Sequence, residues 1–532
     1  MNIRNYNIYF NTHTISGIIA CGLLYVIFFA GSFAFFRDEI ALWQKGASYA
    51  EQSLANDRFD RLLDSLREDG FELQGRDMTF YLEQQGRSAY VNIAPSNDTS
   101  LRETSEARYF TYNFVQKNAG KYAEHYDMAE FLFRLHFLAP LNEVPLRLGI
   151  APFGYTLAGI VSFLFLFALI SGLLLHWNKI VSNFFTFRPF SKWKTVWTDM
   201  HTALGVIGYP FQLLYAVTGI FLILNSVLAI PFEKILYQGD AAKMYEELGY
   251  TPKLDYPYSY QPLKHHVHLE SYLDLHDQKW PDSKLKRIFV KNYGDANMHV
   301  LLETEPDFEQ SFAGAGLLTV RVKDGQIIEE KAPVTSQATY VDQVRALIYR
   351  LHYGDFGGYP VKAIYFILGI MGCLVITSGI LIWLVARDKN KVAPHKRKFN
   401  RWMANFFMAA CLSMLPVTAL TFIAVKLGPN VNQHFIYSVY FYSWLVFTLY
   451  YTLRRDIRRT NRETLLVGSI LAFCIPLVNG WISGDWLWKT LLEKQTAVFI
   501  IDFLWLLIGL IALTCFLKTR RFLQHSKPLK RK

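Results

Sequence analysis

Four histidines stand at positions whose surroundings repeat. His13 lies in NTHTISG and His201 in DMHTALG, each followed four residues later by a glycine, Gly17 or Gly205, and each opening a long apolar run. His136 and His352 are both preceded by Arg-Leu, with Arg134 and Arg350 two residues upstream, and both stand before an apolar run that closes on Ser-Gly. One histidine per apolar helix, at matched places in two halves, is the smallest set that puts a nitrogen on each side of a flat macrocycle. Haem iron takes its two axial ligands in that way, so the pattern reads as two ligand pairs, His13 with His201 and His136 with His352.

The glycines fit the same chemistry. Gly17 and Gly205 fall one turn beyond their histidines on the same helical face, where a side chain would meet a ring standing against the helix. Gly31 and Gly219 lie eighteen residues beyond the same histidines, five turns and about 27 Å along the axis, and are expected to make room for a second haem. The Arg134 and Arg350 guanidiniums are placed to pair with haem propionates. A single histidine at a membrane boundary is usually an interfacial polar residue, and a single glycine in such a helix is usually a packing site. Four histidines recurring in register, sorted by face, favour a shared cofactor instead.

Other polar features carry less. His176 has Trp383 as its counterpart in the second half, which argues against a third histidine pair. His265-His266-x-His268 is read as a solvated polar run, with no carboxylate at metal-site spacing beyond Glu270. The five cysteines all lie inside apolar runs without a CxxC partner, so neither disulfides nor a thiolate metal site is expected. No GxSxG, HExxH, P-loop or Rossmann fingerprint occurs, and no catalytic side chain is assigned. An electron donor must therefore bring its own cofactor or be membrane-soluble.

The elements that position these residues are apolar helices. Of 532 residues, 52% are hydrophobic and 16% aromatic, too apolar for a soluble domain and too charged for a chain embedded throughout. Runs long enough to cross a hydrocarbon core of about 30 Å occur near Ile15 to Phe36, Phe153 to Trp177, Leu204 to Ile230, Tyr359 to Ala386, Trp402 to Lys426, Phe435 to Leu453, Thr464 to Ile482 and Ala497 to Leu517. Eight spans are thus expected, the first a retained anchor because its apolar run exceeds that of a signal peptide. Basic clusters at Lys179 to Lys194, Arg387 to Arg401, Arg454 to Arg462 and Lys518 to Lys532 then fall on one side, which places both termini in the cytoplasm. The net charge of +11 is a topology signal, and no nucleic-acid partner is expected.

The expected division is a first span over 1–37, an extracytoplasmic insert over 38–150, and two spans with their link over 151–230. A second insert follows over 231–350, then a fourth span over 351–390 and an appended four-span unit over 391–532. The first insert suggests a helix over 49–69 and a strand near 89–94. The second reads as α+β, with helices near 241–248 and 341–351 and strands near 287–291 and 299–303. Its clearest feature is a hairpin, GLLTVRVKDGQIIEE, turning at Asp324-Gly325.

DMHTALG followed by AVTGI, RLHYGDFGG before the fourth span, SGILIWL at its end and the KDGQIIEE hairpin together resemble the PepSY-associated transmembrane-helix family. These proteins, also called iron-regulated membrane proteins, include bacterial inner-membrane ferric-siderophore reductases. The resemblance covers about residues 1 to 390. It implies a four-helix core with two b-type haems in the inner membrane, and periplasmic inserts at which a ferric siderophore or other ferric chelate is reduced. His13 and His201 would hold the cytoplasmic-side haem, His136 and His352 the outer one, fed by a cytoplasmic or quinone donor. The first half lacks the Tyr-Gly-Asp that follows His352, and the last four spans exceed the family's core. Two other readings stay open: a siderophore or iron transporter without redox chemistry, and a membrane-anchored PepSY binding or regulatory module. The near absence of ionisable groups inside the spans, Asp502 apart, disfavours the transporter. Eight spans with paired histidines exceed what an anchor needs.

Overall fold

The computed structural model describes residues 2–101, 106–148, 151–250, 254–390 and 392–525, so the end of the basic C-terminal run, 526–532, lies outside the described residues. The first apolar run folds as α1 (Ile3–Ala34), whose start is capped by the Asn2 side chain accepting from the Asn5 amide at 2.8 Å. The short α2 (Arg37–Lys45) follows, with Asp38 and Glu39 in its first turn. Where the sequence suggests one helix over 49–69 there are two, α3 (Ala47–Glu51) and α4 (Arg58–Glu68). The break has a distant cause: the Glu270 carboxylate accepts from the Phe59 and Asp60 amides at 2.6 and 3.2 Å, capping a new helix start.

Four strands complete the first insert, β1 (Arg76–Glu83), β2 (Ser88–Ser96), β3 (Arg108–Asn113) and β4 (Asn118–Gly120). The chain returns through α5 (Met128–His136) and a two-stranded ribbon of β5 (Arg147–Leu148) and β6 (Ala151–Pro152). Next come α6 (Phe153–His176), the short α7 (Ile180–Phe185) and the 44-residue α8 (Trp193–Leu236). The second insert holds α9 (Ala241–Glu247), α10 (Glu270–Lys279), β7 (Lys284–Lys291), β8 (His299–Glu305), β9 (Gly316–Arg321), β10 (Gln326–Lys331) and α11 (Tyr340–Tyr353). The remainder is helical: α12 (Gly358–Arg387), α13 (Pro394–Leu427), α14 (Gln433–Arg454), α15 (Ile457–Ser483), α16 (Leu487–Leu492) and α17 (Thr496–His525).

Seven of the described helices are long and apolar enough to cross a membrane, one fewer than the sequence suggests. The exception is α14, whose 22 residues include tyrosines at 437, 440, 442, 450 and 451 that lower its mean hydropathy. Its contacts nevertheless run it back along α13: Tyr440 meets Thr418 at 3.4 Å, and Trp444 Nε1 donates to the Ala410 carbonyl at 2.7 Å. By contrast α15 runs with α13, since Leu415 packs on Gly468 and Lys426 Nζ donates to Ser483 Oγ at 3.0 Å. Two helices that run the same way need a return between them, and at 1.5 Å per residue α14 is about 33 Å long, enough to supply it.

The chain divides into two compact units, one of Met1–Ala50, Tyr126–Val227 and Lys362–Lys532, the other of Glu51–His125 and Leu228–Val361. The second unit is built on one antiparallel sheet in the order β10-β9-β8-β7-β1-β2-β3-β4. Both inserts therefore contribute one half each. At the joint Phe80 lies opposite Ile288. Each is followed six residues later, at 86 and 294, by a turn glycine with φ +79° or +76°, so the two halves meet about a local twofold. A helix precedes each half, α4 before β1 and α10 before β7, and the core includes Phe59, Phe80, Val91, Ile288, Val300 and Leu318. The expected hairpin is present as β9 and β10, with Gly325 at φ +68° supplying the turn.

In the first unit α1 packs on α6, and α8 lies along α12, with Tyr215 near Tyr365 and His201 near Val375. The appended helices join this core through α1, α2 and α5. Trp43 Nε1 donates to Asp502 Oδ1 at 2.8 Å, Asn479 Nδ2 donates to the other Asp502 oxygen at 2.8 Å, and Lys426 Nζ lies 4.7 Å from the Trp43 ring centre.

Candidate functional site

His13, on the exposed first half of α1, points its ring at α6. Its Nδ1 lies 2.8 Å from the Ala168 carbonyl, and a Cβ on Gly172 would stand 3.1 Å from the ring. His201, on α8, repeats this against α12, with Nδ1 2.9 Å from the Val375 carbonyl and Gly379 3.2 Å from the ring. A shift of 188 carries His13 to His201, and a shift of 207 carries both Ala168 to Val375 and Gly172 to Gly379. Ser171 and Ser378, related by the same shift of 207, each turn their hydroxyls back onto their own helices, Ser171 to the Phe167 and Ala168 carbonyls and Ser378 to those of Leu374 and Val375.

A carbonyl oxygen only accepts, so each Nδ1 carries the proton. In the neutral ring that leaves the Nε2 lone pair as the available donor atom, the tautomer a metal-binding histidine needs. The two ring centres are 6.0 Å apart, with the rings inclined at 71°. Two metal–nitrogen bonds of about 2 Å, with roughly 1 Å from each nitrogen to its ring centre, span about 6 Å. A separation of that size would let the two rings hold one metal ion between them. Beside it, a Cβ added to Gly17 or to Gly205 would meet nothing within 4 Å.

The last residue of α5 is His136, where Leu138 in the left-handed region (φ +59°) turns the chain away. Its Nδ1 lies 2.8 Å from the Ile27 carbonyl of α1. A Cβ on Gly31, four residues past that carbonyl, would stand 2.4 Å from Nδ1. This revises the part read for Gly31: it admits the imidazole of His136, as Gly172 and Gly379 admit theirs. Burial holds His136 below the ordinary histidine pKa.

The other assigned residues are placed as follows. His352 lies near the end of α11 in the second unit, on a helix begun by a capping box of Thr339 and Asp342 and ended by Gly354 at φ +63°. Gly219 lies within α8. Arg134 donates to Glu130 at 2.7 Å and to the Tyr155 hydroxyl at 2.9 Å. Arg350, buried, donates to Asp355 at 2.5 Å with its guanidinium 3.5 Å from the Phe308 ring centre. Both arginines thus have carboxylate partners within the protein. His176 lies 3.3 Å from the Asn183 amide. In the His265-His266-x-His268 run the His268 ring faces Asp60 at 3.3 Å, and no three His, Cys, Asp or Glu among the described residues converge as a metal site.

Sequence reasoning overlooked Gly172, Gly379 and the carbonyls that orient the rings. The signal was present, since Ser171-Gly172 and Ser378-Gly379 are matched, but they read as the close of a span. Gln212, buried on α8, was also passed over.

Seven helices among the described residues that are long and apolar enough to cross a membrane, together with an antiparallel sheet, define a multi-pass helical membrane protein. Residues 10–386 match the family described as the PepSY-associated TM region, and the chain belongs to it. It is also similar to a Pseudomonas aeruginosa protein named only as Uncharacterized protein PA4219, 21% identical over 239 residues, which make up 44% of this chain and 58% of that protein. The chain thus spans about 58% of the length of that relative.

Proposed function

We propose that this protein carries electrons through two b-type haems from the cytoplasmic side of a bacterial inner membrane to its periplasmic side, where a ferric siderophore or other ferric chelate takes one electron and releases Fe(II) for uptake. The observation that supports this most directly is the His13–His201 pair: separation, tautomer and open flanking space all fit a bis-histidine haem. When bound, haem would supply a reversible one-electron couple inside the hydrocarbon layer. The protein's own part is to hold the rings. Each Nδ1–H is fixed by a carbonyl so that Nε2 is presented, and helix-packed glycines let the ring approach.

A second haem is assigned to His136 and His352 on their matched Arg-Leu-His sequences, together with the carbonyl-fixed ring of His136. No side chain need form a covalent bond with the chelate, because the last step adds one electron to Fe(III). Oxygen donors hold the harder ferric ion far more tightly, so reduction loosens the metal. The donor on the cytoplasmic side is a soluble redox protein or a membrane quinone.

A dithionite-reduced minus oxidised spectrum of the purified protein tests the reading. Two low-spin haems per chain are expected, with His13→Ala and His352→Ala each removing one. Correctly folded protein without haem would overturn it, and so would variants that both keep full haem content.

A further inference from the structure

We infer that Gln212 is a positioning residue for the inner haem, its side-chain amide donating a hydrogen bond into the space beside Gly205 and raising that haem's reduction potential. This rests on the haem reading above. The inference starts from an energetic anomaly: Gln212 is 3% exposed within an apolar span, and its Nε2 has no hydrogen-bond partner. Leaving a buried amide donor without a partner is destabilising, a cost that a merely packing residue would shed by being leucine.

Its place on α8 supplies a direction. His201, Gly205, Gly208 and Gln212 fall at intervals of 4, 3 and 4 residues, within about 60° of arc at 3.6 residues per turn. Helical side chains lean toward the N-terminus, and Gln212 does so: a Cβ on Gly208 would stand 2.8 Å from Nε2. The amide is therefore folded back along the stripe toward Gly205, whose flank is open, with Met371 Cε also 2.8 Å from that Gly208 position. The shift of 188 that carries His13 to His201 and Gly17 to Gly205 carries Leu24 to Gln212. The repeat shows that an apolar side chain fits this position, and the polar one appears in one half only.

The acceptor is an oxygen at the macrocycle's edge, either a haem carboxylate arm or a water held against it. The positive end of an N–H dipole aimed at the haem favours the form carrying the extra electron. Removing the donor must then lower the potential of one haem and leave the other in place.

Redox titration of the full-length protein, followed optically for both haems, tests this with Gln212→Leu and Gly208→Ala. The second variant displaces the amide without altering it. Both are expected to retain two haems and to shift one midpoint downward by about tenfold in the oxidised-to-reduced ratio at fixed ambient potential, which is 59 mV for one electron. A resonance Raman band of the haem carboxylates that moves in Gln212→Leu identifies the carboxylate arm as acceptor, and an unmoved band beside a lowered midpoint identifies the water. Two haems with unchanged midpoints in Gln212→Leu overturn the inference and leave the haem reading standing. Wild-type protein lacking haem overturns both.

Discussion

Three imidazoles share one local arrangement. His13, His201 and His136 each place Nδ1 against a carbonyl of a neighbouring helix, and each is admitted by the glycine four residues past that carbonyl, Gly172, Gly379 or Gly31. Of the three clearances Gly31 is the tightest, because a methyl group there would lie 2.4 Å from the His136 ring, whereas at Gly172 or Gly379 the contact is 3.1 or 3.2 Å. Gly31→Ala should therefore turn the His136 ring out and break its bond to Ile27, at a cost of about 1–3 kcal/mol from overpacking. On the proposed function, the expected spectrum has one haem lost and the one assigned to His13 and His201 retained, while Gly379→Ala keeps both with at most a small band shift. Haem counting by pyridine haemochrome on both variants checks this, and equal effects from the two would refute it. The matched settings of the four histidines were legible in the sequence because they repeat. The tautomers were not, since a carbonyl on another helix has no sequence signature.

At the scale of elements, one of the contacts that tie the appended helices to the other membrane helices is polar, beside apolar ones such as Phe33 against Trp505. Asp502 of α17 is fully buried and accepts from both Trp43 of α2 and Asn479 of α15. In an apolar surrounding, the two donors it serves have no water to fall back on. Asp502→Leu should destabilise the folded protein by about 2–4 kcal/mol, and Trp43→Phe, which deletes one donor and keeps the ring packing, by about 1 kcal/mol. Thermal unfolding in detergent measures both, and a neutral Asp502→Leu would show that the network is dispensable. The helices were legible because long apolar runs have few other ways to satisfy their backbone in lipid. So were the β9–β10 hairpin and the strands of the second insert, whose alternation is local. The pairing of β1 with β7 was not, because Phe80 and Ile288 are partners across two membrane passages, and nothing short-range in either strand names the other. The false continuity over 49–69 has the same origin, since the Glu270 carboxylate that starts α4 lies some 200 residues away.

For the molecule as a whole, the parity of crossings decides whether the two ends of the chain share a side of the membrane. Composition yields seven spans, and an odd number would put the two ends of the chain on opposite sides. The register of contacts, in which α14 runs back along α13 and the next helix, α15, runs with α13 again, is what an eighth crossing by α14 would produce. With α14 crossing, the basic clusters after α6, α12 and α14 and at the end of α17 share a side, as the positive-inside rule requires. On the orientation we propose, the inserts are expected on the other side. A green fluorescent protein fused at either end should fluoresce, and alkaline phosphatase inserted at the Asp324-Gly325 turn should be active, because the first folds only in the cytoplasm and the second only beyond the membrane. A fluorescent N-terminal fusion with a dark C-terminal one would remove α14 from the membrane and return the count to seven. If instead both terminal fusions were dark and the insertion at the turn inactive, the whole orientation would be reversed, and the proposed outward electron path would have to run inward, where no ferric chelate awaits capture from outside.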